Sequence, residues 1–281
     1  MEMDLILKKY DLLNEQRTPS VDLLTKIHLN IITMTPYENL SVWYGPIPSL
    51  KPTNLLDKIN LHRGGVCLEL NTLYAMILKY FGFEVEFRSA KVIRSVTNEM
   101  DVNANRRDTH MVLVVKWLNS NDSYMCDVGF SADAPLTPML MENETIHYGA
   151  GGIECQMQQG TWLNQNGWFL LANDLRQKQG FKKYWFMDSN QYSQTYFDDM
   201  MDYVSRPDIT PPNPHHAEYA TMADRFGNRF TLLGSPTTRY TFYGRDRFGV
   251  AIGESLKFND LKTRNQILKS KFGIVMNDLV E

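Results

Sequence analysis

Cysteine is scarce in this chain. Its 281 residues hold three, an odd number without metal-ligand spacing, which fits a reducing compartment better than a disulfide framework. Long apolar runs are missing too: none approaches the roughly 18 residues a membrane helix needs. The opening Met1-Glu2-Met3-Asp4 lacks the basic n-region and apolar stretch of a secretory signal. The expected location is therefore the cytoplasm, with no membrane partner. Charge of one sign is not in excess either, since 29 Lys and Arg against 32 Asp and Glu leave a formal net charge of -3. That gives no basic footprint for nucleic acid. Internal repeats and low-complexity segments are absent. His215-His216 has no Cys or acidic cluster at metal spacing, so no metal is expected. Gly149-Ala150-Gly151-Gly152 lacks the spacing of a phosphate loop and reads as a flexible turn.

What is present is an ordinary apolar fraction, 43%, enough for a large core and two or three subdomains. Within it, the stretch Arg63-Gly64-Gly65-Val66-Cys67-Leu68-Glu69-Leu70-Asn71 sets a cysteine where a glycine turn becomes a helix. Leu70, Leu73, Tyr74, Ile77, Leu78 and Phe81 recur at the spacing of one helix face, and Gly82 supplies the stop. Cys67 falls in the first turn, where unpaired N–H groups and the positive end of the macrodipole favour a thiolate. Its own N–H is also available to an oxyanion. The alternative is a small buried residue opening a core helix, as cysteine often does. Cys126 and Cys155 read as packing residues of strands.

Downstream, Thr109 to Val115 reads as a buried strand with His110 near its start, and Ser123 to Phe130 as a second strand running into Asp127. The Asn119-Ser120-Asn121-Asp122 cluster between them signals a turn and an antiparallel pair. Such a pair can set His110 beside Asp127, with side-chain register left open. Singly, His110 reads as a core histidine and Asp127 as a turn or cap. Together with Cys67 they compose a nucleophile, a base and a carboxylate that orients the base.

Periodicity divides the chain. Residues 1–82 read as mostly helical, with Thr18 as N-cap, Pro19 as first helical residue, and Val21, Leu24, Ile27 and Ile31 on one face. Residues 83–193 read as strands closing into a barrel-like sheet: Phe83, Val85 and Phe87 alternate, and Asn166-Gly167 signals a hairpin within Trp162 to Ala172. Residues 194–281 mix elements: a helix near 194–204, a hairpin at Gly227-Asn228, a strand at Arg239 to Tyr243 and a last helix through Leu261, Ile267, Leu268 and Phe272. Pro211-Pro212-Asn213-Pro214 reads as a local extended loop.

These blocks carry a resemblance. Pro36-Tyr37-Glu38-Asn39-Leu40, Arg63 to Asn71, His110-Met111-Val112-Leu113 and Asp127-Val128-Gly129-Phe130 stand in the order found in arylamine N-acetyltransferases, and the chain resembles that family. The resemblance implies an α+β fold with an N-terminal helical bundle, a central β-barrel-like antiparallel sheet and a C-terminal α/β lid. It implies Cys67 as acetyl-accepting nucleophile, His110 as base and Asp127 as third member. Acetyl-coenzyme A is the implied donor, with arylamines, arylhydrazines or N-hydroxyarylamines as acceptors, in a ping-pong reaction through acetyl-cysteine. Glu38 and Arg63 are similar to a pair that fixes the glycine turn; their plain reading is two solvated loop charges. Tyr37 and Phe130, each beside a motif residue, are candidates to line the acceptor site.

Departures from the family's pattern bear on specificity. Val66 stands where many relatives carry an aromatic ring, so one pocket wall is smaller or more open; Ser131 follows Phe130 where glycine is usual; and Tyr203 to His216 is rich in proline. Lys178, Lys182 and Lys183 form a basic cluster, but no residue is assigned to the coenzyme A phosphates. Competing readings are a Cys-His-Asp hydrolase or transglutaminase-like enzyme, a relative using propionyl- or malonyl-coenzyme A, and a catalytically silent binding protein.

Overall fold

The structure, a computed structural model, describes residues 2–44, 48–93, 108–118, 120–130, 133–205, 217–234 and 239–276. The proline run, His215-His216, Ser131 and Asn119 lie outside the described residues.

Helices α1 (Glu2–Lys9), α2 (Val21–Met34), α3 (Leu40–Tyr44), α4 (Pro52–Asn60) and α5 (Cys67–Tyr80) precede the main sheet, with a short strand β1 (Tyr37–Glu38) among them. The cap of α2 is Ser20, whose hydroxyl accepts from the Leu23 N–H at 3.1 Å, so the expected Thr18–Pro19 start is two residues early. Val21 consequently faces solvent, 43% exposed, while Leu23, Leu24, Ile27, His28, Ile31 and Ile32 are buried. The proline device expected there operates on α4, where Pro52 opens the helix.

Helix α5 is buried on more than the one expected face. Glu69, Asn71 and Thr72 are as enclosed as its apolar residues, because the other helices cover one side and a sheet the other. Gly82, at φ 87°, takes the chain out of it.

The main sheet has eight strands in the order β5-β4-β3-β2-β9-β8-β7-β6. They are β2 (Glu84–Val92), β3 (His110–Lys116), β4 (Tyr124–Cys126), β5 (Met139–Leu140), β6 (His147–Gly149), β7 (Ile153–Trp162), β8 (Gln165–Asp174) and β9 (Lys182–Asp188). All its pairings are antiparallel, and a bridge from Pro135 to Gly149 draws the two edges together into a nearly closed barrel. Strand β3 is apolar on both faces for a reason: Met111, Leu113 and Val115 pack into the helical core, Val112 and Val114 into the barrel.

The β7–β8 turn is Leu163-Asn164, both at positive φ, and not Asn166-Gly167. Those two residues sit in the ladder. Gly167 is there because a Cβ would collide with the Met187 carbonyl oxygen of β9. Gly149 to Gly152, expected to be flexible, is a buried turn packed against Arg229 and Gly249.

Helix α6 (Gln194–Val204) returns to the helical core through Phe197, Met200, Met201 and Val204. A second sheet, β1-β10-β11-β12-β13, comprises β1 with β10 (Glu218–Ala223), β11 (Arg229–Gly234), β12 (Tyr240–Arg245) and β13 (Leu256–Phe258). Helix α7 (Leu261–Phe272) packs on it through Ile267, Leu268 and Phe272. Packing therefore crosses the sequence segments: β1 belongs to the first third and pairs with β10 of the last. No helix among the described residues is long and apolar enough to cross a membrane.

Candidate active site

The turn before α5 is built by backbone contacts that leave no room for side chains. The Glu38 N–H donates to the Gly65 carbonyl at 3.0 Å, and a Cβ at Gly64 would collide with the Pro36 carbonyl oxygen. Glu38 and Arg63 meet here: the Arg63 Nε donates to Glu38 Oε1 at 2.9 Å, and the other carboxylate oxygen accepts from the Leu40 N–H at 2.7 Å. The Glu38 side chain is fully enclosed, so neither charge is a loosely solvated one. At the mouth of the helix, Glu69 turns back to accept from the Val66 N–H at 3.1 Å and from Lys58 at 2.8 Å. Burial raises its carboxyl, against the pull of Lys58.

Cys67 is the first residue of α5, 7% exposed. Its thiol lies 3.7 Å from the Thr109 carbonyl oxygen, which sets it beside the next residue, His110, whose ring it acts on electrostatically. His110 is the first residue of β3, and its Nε2 is 2.7 Å from Asp127 Oδ2. Antiparallel pairing of β3 with β4 brings the carboxylate there: Leu113 lies opposite Cys126, which carries Asp127 to within two residues of His110 across the pair. Burial alone would drive the imidazole toward neutrality, yet the Asp127 charge and hydrogen bond, with the Cys67 contact, raise it to about 10. The site thus gathers a thiol, an imidazole and a carboxylate at a helix N-terminus, residue types suited to nucleophilic attack and proton return.

Two residues that sequence reasoning did not single out complete it. Asn71, one turn after Cys67, is fully buried; its amide donates to Asp127 Oδ1 at 3.0 Å and to the Met111 carbonyl at 2.7 Å, and accepts from the Val128 N–H at 3.0 Å. The available signal was its place one turn on from the nucleophile, on the same side of the helix. Gly129 gives its N–H to Asp127 Oδ1 at 2.9 Å and lies so close that a Cβ would stand 2.7 Å from Cys67 Cα.

Phe130 lies with its ring centroid 5.0 Å from that of His110 and 6.1 Å from that of Tyr184 on β9. Val66 caps α5 and is buried, and Tyr37 is half-buried, bridged to Gly65 and edge-on to Tyr219. Cys126 and Cys155 lie in the core, where burial pushes both thiols up. Of Lys178, Lys182 and Lys183, Lys182 bonds Gln179, and the Lys183 ammonium sits 4.1 Å above the Phe169 ring. Among the described residues no three His, Cys, Asp or Glu are grouped to hold a metal ion.

Comparison with known proteins finds relatives of this chain. A family model described as N-acetyltransferase matches residues 20–280. An arylamine N-acetyltransferase / N-hydroxyarylamine O-acetyltransferase of Salmonella typhimurium is 26% identical over 267 residues, 93% of this chain and 85% of that protein. An N-malonyltransferase of Fusarium pseudograminearum is 30% identical over 152 residues, 50% of this chain and 43% of its own. Among solved structures, the Salmonella typhimurium arylamine N-acetyltransferase superposes with a TM-score of 0.82 at 22% identity, covering 99% of this chain and 92% of that one. The Mycobacterium marinum enzyme in complex with CoA does so with a TM-score of 0.79 at 20% identity, covering 98% and 94%.

Proposed function

The chain belongs to the arylamine N-acetyltransferase family, and from that premise we propose that Cys67, His110 and Asp127 carry an acetyl group from acetyl-coenzyme A to the nitrogen of an arylamine, arylhydrazine or N-hydroxyarylamine. The observation that supports this most is His110 bonded to Asp127 at 2.7 Å, next in chain to Thr109, whose carbonyl oxygen lies 3.7 Å from the Cys67 thiol.

In the first half-reaction the Cys67 sulfur attacks the thioester carbonyl carbon and forms a new C–S bond. The tetrahedral oxyanion faces the start of α5, where the Cys67 N–H is free to donate. The bond to the coenzyme A sulfur then breaks, and the leaving thiolate takes the His110 proton. Acetyl-Cys67 and neutral His110 remain. In the second, the acceptor nitrogen attacks the acetyl carbon, His110 takes an N–H proton, and the Cys67 thiolate leaves, so the amide forms and the ion pair returns. Aromatic amines suit such a site because they stay largely neutral at pH 7 and enter an apolar pocket with their lone pair intact. Phe130, Tyr37 and Val66 are assigned to that pocket, and Glu38 with Arg63 to the support of the glycine turn.

Incubation with acetyl-coenzyme A tests the reading. One acetyl group should add to the intact protein, vanish when an arylamine is supplied, and fail to appear in Cys67→Ala. Peptide cleavage with no lasting adduct would instead establish the hydrolase. A panel of acetyl-, propionyl- and malonyl-coenzyme A ranks the donors, which the relation to an N-malonyltransferase makes a necessary arm.

A further inference from the structure

We propose that Asn71 is the positioning residue of this site, the side chain through which the helix bearing the nucleophile aligns the carboxylate with the imidazole. The inference rests on the assignment of Cys67, His110 and Asp127 above.

A carboxylate held by one hydrogen bond can rotate about its Cβ–Cγ bond. Asp127 cannot, because Oδ2 meets His110 Nε2 at 2.7 Å while Oδ1 accepts from Asn71 at 3.0 Å and from the Gly129 N–H at 2.9 Å. Of these donors Asn71 is the only one on α5. The same amide holds the Met111 carbonyl, next in chain to His110, and the Val128 N–H, next in chain to Asp127. One side chain therefore measures the helix against both strand ends that carry the base and its carboxylate. Both amide protons and the amide oxygen are engaged, in a place with no exposure to water, so no spare bond remains to stabilise a shifted arrangement.

The other titratable groups facing Asp127 are accounted for. His110 is raised to about 10; His28 of α2, turned toward Asp127 from behind, is pulled down to about 4 by burial against its bond to the Pro135 carbonyl. Cys126 and Cys155 are pushed up by burial. Cys67 is the group whose reactivity the test reads.

Asn71→Asp is the sharp test. It keeps the shape and the acceptor for Val128, gives up the bond to the Met111 carbonyl, and sets a second carboxyl about 3 Å from the first, where two such groups share one proton. With that proton present the O–H donates to Asp127 and the tie to the carboxylate persists; without it the two oxygens repel. The rate of Cys67 alkylation by iodoacetamide in N71D, relative to the parent, is expected to fall as pH rises from 5 to 8. In Asn71→Ala the relative rate is expected to fall by between about tenfold and a hundredfold at every pH, as loss of an outer hydrogen-bond partner usually does. A purely structural role would lower melting temperature in both variants and leave both ratios near one, and that result overturns the proposal. If N71D does not fold, the His110 ring-proton resonance decides: displaced or lost in N71A it supports the role, and unchanged it overturns it. Alkylation needs no acyl donor, so failure of the parent to accept acetyl would sink the acetyltransferase reading separately.

Discussion

Asp127 and Glu218 are both buried carboxylates, 0% and 1% exposed, and their partners set them apart. Glu218, on β10, accepts from the Tyr240 hydroxyl at 2.9 Å, from Arg264 at 3.2 Å and from the Tyr44 hydroxyl. A guanidinium stays charged across the whole useful pH range, and burial and the Glu218 charge both raise the Tyr240 phenol. Nothing in that cluster can release a proton near neutrality, so it fastens α3, β10, β12 and α7 and does no more. Asp127 faces an imidazole that also feels the Cys67 sulfur. The same acid, at the same depth, is paired with a group that can exchange a proton, and in the function proposed above it orients and stabilises that group.

The largest effect that separates the two clusters is expected from Asp127→Asn. Acetylation of Cys67 should fall on the order of 10⁴-fold, the scale seen when a triad carboxylate is neutralised. Histidine titration by NMR should find His110 moved from about 10 to below roughly 6.5, since burial then acts unopposed. A stability signature accompanies it. The folded pKa is raised, so the stabilisation is complete below about pH 6.5 and is lost as pH rises through about 10; denaturant melts across that window should lose the contribution in D127N. A His110 titration that does not move would abolish the distinction.

Arg264→Leu should come next, on the other side. It strands Glu218 without its cation at a cost of roughly 3 kcal/mol, read as a clear drop in thermal midpoint, while the acetylation rate per folded molecule holds. Should the rate collapse with the midpoint unchanged, the Glu218 cluster would be more than a fastening. Glu38→Gln lies between the two kinds, expected to lower stability by roughly 2 kcal/mol and acetylation with it, because the pair braces the turn that leads into Cys67. An unaltered melt would remove that bracing role. The smallest effect belongs to Cys155→Ala: about 1 kcal/mol, with the iodoacetamide stoichiometry at pH 7 unchanged. Loss of label there would mean that a core thiol reacts too.

Much of this arrangement was legible where cause and effect are close in the chain. The glycine turn, the start of α5 and the β3–β4 turn rest on residues within a few positions of one another, and periodicity reports them directly. Local signals misled where two candidates competed: Thr18 against Ser20 for one cap, Asn166-Gly167 against Leu163-Asn164 for one turn. In the second case Gly167 answered to β9, a neighbour that pattern reading does not see. Asn71 was invisible as an actor for the same reason. Its amide donates to partners 40 and 56 residues away, and the one local mark it carries is its place a turn after Cys67.

Strand β1 gives the last lesson. Its two residues are gripped from both sides, by Thr221 and Ala220 of β10 and by Gly65 of the turn before Cys67. Every group assigned to the chemistry comes from the first half of the sequence, yet the splint that sets the nucleophile's turn is finished by a strand from the last quarter. A chain cut after β9 would keep each residue assigned to the chemistry and lose the β10 pairing that holds β1 against the turn before Cys67.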